Sequence, residues 1–448
     1  MRFLACLLFG LCFACNAGSV HQSPPPSYAI PDSAYTTLSL GKWSSNSGYA
    51  FTSNYLTDQG NGVVLWMYAR PAGVVFSEFE IEKQIGLNPI SESNRPAHWF
   101  VDEEGNGSVL TSSPHLGHDS RPGIVSLYQS RNFQVKKLIL DHPAHFVSAN
   151  IDAKGNGQLL LRENPFEVEG CCPISYFSPI KVINLKEHEP QSQHRFNVLE
   201  KSEPFLDEVG NGIAVGWVNN SKVYTQEIKN HQSVGTAEKK AEGQRDSFRQ
   251  FKGPFPGFTW EEGTASGKNL HIASVTEALR FTKIAEVPLD PEENLKTLFL
   301  NHTQSGLLVT ENEKSHTLIL RHIQQDKAGA PQILALPTTE SAFFVFIHAD
   351  STGRGLLTWR QSPKKTTLTH TDNSTLYAQA ITNHRLQDNK IILAQGNIPL
   401  VDLQLTAKGN GLLLWGQEGT DACNSANSCK TEIFGRIIKN HRPLSRAE

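Results

Sequence analysis

The chain of 448 residues has almost no excess charge of either sign: 41 Lys and Arg stand against 44 Asp and Glu, a formal net charge of -3. It lacks the basic field that holds a nucleic-acid backbone, so no nucleic-acid partner is expected. Charged residues reach only 19% and apolar residues 38%, a balance that excludes general disorder. Beyond the N-terminal segment no run of uninterrupted apolar residues is long enough to span a bilayer as a helix. A phosphate-cradling glycine loop is missing, because the glycine-rich copies discussed below run into strand-like segments rather than a helix. Neither a nucleophile with an activating base nor a pair of carboxylates aimed at one pocket stands out. Acidic neighbours such as Glu103-Glu104, Glu261-Glu262 and Glu292-Glu293 read as solvated edges. No catalytic residue and no cofactor are therefore expected.

The N-terminus does carry a signal. Leu4 to Ala14 is a short apolar run behind Met1-Arg2, the length of a secretory hydrophobic region and too short to cross a bilayer. Residues 1–17 read as a signal peptide and residues 18–34 as a Ser/Pro-rich tether, since clustered prolines disfavour helix and sheet alike. Two processing outcomes compete: cleavage after Ala17, or lipidation of Cys15, which would be the protein's one attachment to a membrane. Either implies export, to the periplasm, an outer-membrane tether or the extracellular space. Of seven cysteines three fall in this leader. In an oxidising compartment Cys423 and Cys429 are expected to close the loop CNSANSC as a disulfide. Adjacent Cys171 and Cys172 bond to each other only with strain.

A Gly-Asn-Gly tripeptide recurs five times, at Gly60, Gly105, Gly155, Gly210 and Gly409, each between a strand-like segment and an apolar one. Three degenerate units fill the long gap before the last copy: FTWEEGTASGKNLHIASV, FLNHTQSGLLVTE and FVFIHADSTGRGLLTW. The step is about 50 residues, near the propeller range and beyond the shorter solenoid periods. Asn and Gly suit a tight hairpin because both tolerate positive φ. An Asp just before the tripeptide (Asp58, Asp102, Asp152, Asp207, Asp350) is expected to accept hydrogen bonds from loop amides, a structural role. After each hairpin come a further strand, clearest in VYTQEIKNH, LYAQAITNH and EIFGRIIKNH, and then a more polar one. Four strands per unit, none able to bury both faces alone, are expected to stack radially. The last unit reaches His441 short of its fourth strand, and Tyr35 to Trp43 is expected to supply it.

In this pattern the chain resembles secreted bacterial β-propeller proteins built from strand, Asp/Gly/Asn turn and strand repeats, over about Tyr35 to His441. The repeats themselves predict an all-β, eight-bladed β-propeller closed by the N-terminal strand, with seven blades as the alternative because the unit around Trp260 is weak. Residues 35–448 then form a single propeller domain. The Ser-x-Asp-x-Gly-x-Thr-Trp pattern of sialidase-like propellers is not met, so no catalytic residue is carried across from that family.

Hairpin connections alternate between the two ends of each unit, which separates the short Gly-Asn-Gly turns from a variable set starting at Ser112, Glu163, Gln361 and Gly416. This second end is the expected binding surface. His115 and His118 in one loop and Cys171 and Cys172 in the next offer a tetrahedral zinc shell, with solvent-facing histidines and inert thiols as the ordinary reading. Gly235 to Gln250 reads as a mobile connection. The function expected is an exported, non-enzymatic binding or assembly scaffold for a protein or glycan ligand. The alternative is a carbohydrate-active enzyme, a glycan hydrolase or lyase working in the central funnel.

Overall fold

The computed structural model describes residues 37 to 443 except 46–50, 68–71, 87–94, 102–106, 114–123, 130–134, 140–143, 152–153, 164–176, 188, 200–201, 208, 219–221, 245–246, 252–255, 266, 277, 302–303, 325–326, 364–373 and 419–428. Every regular element among them is a β-strand, and all pairing is antiparallel. The strands follow one another through successive sheets in chain order. The first sheet holds Phe51–Leu56, Gly62–Met67, Ala72–Ser77 and Glu80–Gly86; the second Arg95–Val101, Gly107–Ser113, Ile124–Gln129 and Val135–Ile139. The third holds Ala144–Ile151, Gly157–Glu163, Phe177–Lys186 and Glu189–Leu199; the fourth Ser202–Leu206, Gly212–Val218, Lys222–Lys229 and Gln232–Glu242. Arg249–Phe251, Gly257–Thr264, Gly267–Val275 and Phe281–Leu289 make the fifth. The sixth contains Glu293–Leu300, Gly306–Asn312 and Thr317–Gln324, with Lys327–Ala328 and Gln332–Ala335 sharing the last edge.

The remaining strands form one eight-stranded sheet with two halves. Its seventh-unit half is Glu340–Ala349, Gly355–Pro363, Ser374–Thr382 and the start of Arg385–Leu405. That long strand then pairs Gly411–Glu418, which pairs Cys429–Lys439, the core of the eighth-unit half. Leu38–Ser45 lies antiparallel along the free edge of Cys429–Lys439, and Arg442–Pro443 pairs the same edge just beyond it. The chain after His441 thus begins the outer strand that the N-terminal segment continues.

Alternation of side chains explains why the sheets stack. In Gly355–Pro363, Leu357 and Trp359 point to a cluster with Leu307, Leu318 and Leu320 of the sixth sheet, while Leu356 joins Leu413 and Trp415 of the eighth-unit half. Clusters of the same kind join the third sheet to the fourth, the fourth to the fifth and the fifth to the sixth. Another brings Leu40, Leu412, Leu414 and Ile433 against Leu56, Val64 and Phe76 of the first sheet. Each fully buried Leu, Ile or Phe contributes about 1.5–3 kcal/mol, so neither face of a sheet could be left in water. First strands of several successive sheets also touch, Phe51–Leu56 meeting both Arg95–Val101 and Arg385–Leu405.

The recurring turn has a more specific logic than its composition suggests. In six turns, beginning at Thr57, Asp207, Thr276, Asn301, Asp350 and Thr406, the first residue's N–H donates to the carbonyl four residues on and its own carbonyl accepts from the residue three on. Its side-chain oxygen caps the N–H of the fourth residue on, as in Asn211 N–H to Asp207 Oδ1 at 2.7 Å and Asn61 N–H to Thr57 Oγ1 at 3.2 Å. Asp58 therefore departs from the expectation: Thr57 does the capping, and Asp58 instead accepts from the Thr406 hydroxyl and faces Lys408 Nζ at 3.1 Å, tying the first sheet to the eighth-unit turn. The central Asn is not at positive φ either; the glycine before it is, at +79° for Gly60, +83° for Gly210 and +78° for Gly409, and so is the glycine after it at Gly157, at +145°. Asn serves as a bridge, its Oδ1 accepting from the backbone N–H of the third connection of the same sheet: Glu78 to Asn61 (3.1 Å), Glu187 to Asn156 (2.9 Å), Asn230 to Asn211 (3.1 Å) and Asn440 to Asn410 (2.8 Å).

Two further expectations are corrected. In the fifth sheet the Gly-bearing turn of FTWEEGTASGKNLHIASV joins the second and third strands, and the recurring turn lies one strand later at Thr276–Arg280, with Leu279 at φ +55° where Gly60, Gly210, Gly353 and Gly409 stand in other turns and Gln304, at +58°, in the sixth sheet. Gly235 to Gln250 is no mobile connection throughout: Gln232–Glu242 is an exposed edge strand on Lys222–Lys229, and Arg249–Phe251 opens the fifth sheet.

Candidate binding surface at the variable-loop end

Most residues singled out by sequence fall outside the described ones: Cys15, His115, His118, Cys171, Cys172 and Cys423. Cys429 opens Cys429–Lys439, its backbone in register with Ser45. Among the described residues no group of three or more His, Cys, Asp or Glu side chains is disposed to hold a metal ion, and no helix is long and apolar enough to cross a membrane. The variable loops expected to form the surface lie largely outside as well, but the strand ends that carry them are described.

Two of those strands carry an arginine five residues after the second glycine of the turn, near the strand end: Gly157 to Arg162 in GQLLLR and Gly355 to Arg360 in GLLTWR. Each guanidinium reaches into the next unit. Arg162 donates to the Ser202 carbonyl, and Arg360 to the Ile398 carbonyl, each on the first strand of the following unit. In the sixth sheet Glu311 stands at the same spacing after Gly306 and accepts from the Ala342 N–H of the next first strand at 3.3 Å. The position is a recurrent tie between units at the end away from the Gly-Asn-Gly turns.

Around Arg162 the tie extends to a buried carboxyl. Glu203, next to Ser202 and only 7% exposed, accepts from Gln250 Nε2 of the fifth sheet, so three consecutive sheets meet at one point. Burial pushes its pKa up to about 7, against the lowering effects of the Gln250 hydrogen bond and the Arg162 charge. Near neutral pH this group exists in both protonation states and could exchange a proton with a bound molecule.

Around Arg360 the surroundings are aromatic. Phe343 pairs Arg360 and Phe346 pairs Thr358, so two residues of Glu340–Ala349 oppose Trp359 alone, a bulge. Phe344 in that bulge sits at φ +47°, a strained conformation for a bulky residue. The result is that adjacent Phe343 and Phe344 are 38% and 37% exposed, while the buried Arg360 guanidinium lies 5.3 Å and 4.8 Å from their ring centres. Gln361 donates to Glu340 beside them. A flat apolar surface backed by a fixed cation suits stacking or apolar contact with a ligand. In sequence FVFIHAD reads as an ordinary strand; the signal lies in Phe343 just before it, since strict alternation would aim one ring of the Phe-Phe pair into a packed core.

No protein-family model matches the chain, and no curated protein matches it in sequence. Among solved structures, the chain is similar to a dihydro-heme d1 dehydrogenase, NirN, in complex with DHE, at 11% identity and TM-score 0.44, over 78% of this chain and 68% of that one. It is similar to the WD40 domain of SCAP from fission yeast at 7% identity and TM-score 0.42, over 91% of this chain and 98% of that one. It is also similar to the Pyrococcus horikoshii acylaminoacyl peptidase at 12% identity and TM-score 0.41, covering 81% of this chain and 57% of the peptidase.

Proposed function

We propose that the chain is an exported, non-enzymatic binding scaffold, an eight-bladed β-propeller closed by its N-terminal strand, that takes a protein or glycan ligand on its variable-loop end. The count of eight is supported by dividing the eight-stranded sheet within Arg385–Leu405, where the pairing partner changes from Ser374–Thr382 to Gly411–Glu418. Closure is supported by the pairing of Leu38–Ser45 with Cys429–Lys439. The observation that carries the binding reading is the Phe343–Phe344 bulge, strained and exposed on a guanidinium beside a variable loop. Folding alone gives no reason to keep two phenyl rings in water at the cost of a left-handed backbone.

The test compares the mature protein with a Phe343→Ser/Phe344→Ser variant, both immobilised and exposed to native envelope or extracellular fraction. The wild type is expected to retain a ligand that the variant, with an unchanged circular dichroism spectrum, loses. Equal capture by both refutes the assignment of the surface.

A second reading, a carbohydrate-active enzyme, is favoured by Glu203, whose carboxyl is held partly protonated near neutral pH on a first strand. Such a hydrolase needs a second carboxylate about 5–9.5 Å away. Glycan cleavage by the wild type that a Glu203→Gln variant abolishes would establish this reading in place of the first.

A further inference from the structure

Three imidazole pairs bridge neighbouring units at the Gly-Asn-Gly end. His231, His384 and His441 each occupy the second position of a third connection, after Asn230, Asn383 and Asn440, at φ +59°, +61° and +62°. Each ring covers the bare first glycine of its own unit's turn, and each N–H donates to that glycine's carbonyl at 2.9 Å. On its other side each meets a histidine of the preceding unit: His194 stacks on His231 at 4.3 Å, His322 on His384 at 3.7 Å, and His348 meets His441 at 5.2 Å between ring centres. The third pair is the most enclosed, His348 and His441 being 9% and 3% exposed.

We propose that the His348–His441 pair is an acid-released latch between the seventh and eighth units. The chemistry lies in one contact, His348 Nδ1 to His441 Nε2 at 3.0 Å. Two neutral rings satisfy it, one donating N–H and the other accepting. A first proton is accommodated: carried on His441 Nδ1, which lies 4.0 Å from Asp350 Oδ2, it leaves His441 Nε2–H donating to His348. A second proton removes the acceptor and sets two N–H groups against each other in a seam from which water is excluded.

Among the described residues few groups face the pair. Asp350 and Arg354 come from the seventh-unit turn and act in opposite senses on His441, and the Phe299 ring of the sixth sheet lies 4.5 Å from His348. In the adjoining eighth-unit turn Lys408 is paired with Asp58. Burial, then the His441 charge, hold His348 down to about 3, and burial lowers His441 as well, so the latch is closed at neutral pH. The first unit carries a version without a titrating ring: Phe79 covers Gly60 and donates its N–H to the Gly60 carbonyl at 3.0 Å.

That natural substitution supplies the test. Amide exchange, corrected for its intrinsic pH dependence, is followed from pH 7.5 to 4.5 in peptides spanning 340–354, 406–414 and 436–443, with 177–187 of the third sheet as reference. In the wild type the opening constant of the seam should rise about tenfold per pH unit for each proton taken up, while the reference stays protected. His441→Phe leaves His348 of the pair to take up a proton, so the rise should fall to about tenfold per pH unit. His348→Gln, whose amide still accepts from His441 Nε2–H, should reduce it in the same way and provides an independent reading. An undiminished rise in both variants, or a wild-type seam that stays closed at pH 4.5, overturns the proposal.

Discussion

The contact between a turn glycine and the ring above it can be separated from the glycine's conformational role, because the protein contains both cases. Gly409 has φ +78°, and a Cβ there would fall 2.3 Å from His441 Cε1 and Nδ1. Gly235 has φ +68° and open space around the same position. Alanine at either glycine incurs the left-handed cost, about 1–2 kcal/mol for an L-residue. At Gly409 it must also push a buried imidazole out of a packed seam, an overpacking term of about 1–3 kcal/mol. It also stretches the 2.9 Å bond from His441 N–H to the Gly409 carbonyl, a contribution of about 1 kcal/mol. Gly409→Ala should therefore destabilise by about 2–4 kcal/mol more than Gly235→Ala, the loss of chain entropy in the unfolded state being common to both. Equilibrium urea unfolding followed by tryptophan emission measures this as a difference in midpoint at unchanged slope. Equal midpoints for the two variants would refute the view that the ring, and not only the backbone angle, fixes glycine in the repeat.

Leu40, fully buried against Leu56, Val64 and Phe76, should cost about 2–5 kcal/mol when replaced by alanine if the N-terminal strand secures the first sheet to the last; a thermal midpoint within a degree of wild type would deny the strand that role. Glu203 gives a pH dependence of known sign. Its folded pKa of about 7 lies above the ordinary 4.5, so the native state holds the proton more tightly, and the stability this confers is complete below pH 4.5 and lost as pH rises to 7. The loss amounts to about 3 kcal/mol. Glu203→Gln should remove that slope and be more stable than wild type at pH 8 relative to pH 4.5, and parallel stability profiles for the two proteins would contradict the burial of the charge.

The parts of this architecture that are legible in the sequence are those fixed by neighbours along the chain. Gly-Asn-Gly marks turns because the first glycine's angle and the capping oxygen are set within five residues, and the capping position accepts Thr or Asn as readily as Asp. The fifth unit was misphased because its Thr276–Arg280 turn keeps both backbone hydrogen bonds without a glycine, while a glycine marks a different connection. Gly235 to Gln250 reads as a linker because the exposed edge strand Gln232–Glu242 buries little on either face and needs no apolar alternation. The role of Asn in the repeat was hidden for another reason: its partner lies on the third connection, 17 residues away for Asn61 and 30 for Asn410, at no fixed offset.

The candidate surface was illegible for the same cause carried one step further. Arg162, Arg360 and Glu311 act on the next unit's first strand, and the Phe343–Phe344 bulge exists only because its strand and its partner differ in residue count. At the Gly-Asn-Gly end the repeated groups already have assignments: the capping oxygens hold turn amides, the Asn carbonyls hold the third connections, and the glycines lie under rings. Variation there is confined to residues that keep those contacts, as Thr57, Asp207 and Asn301 do at the capping position. At the other end the ties made by Arg162, Arg360 and Glu311 run to backbone carbonyls and amides, which any first strand provides, so side chains beside them can differ from unit to unit without breaking these ties. An exposed aromatic pair on a strained bulge at that end is the kind of departure such a scaffold tolerates, and no repeat constraint explains it.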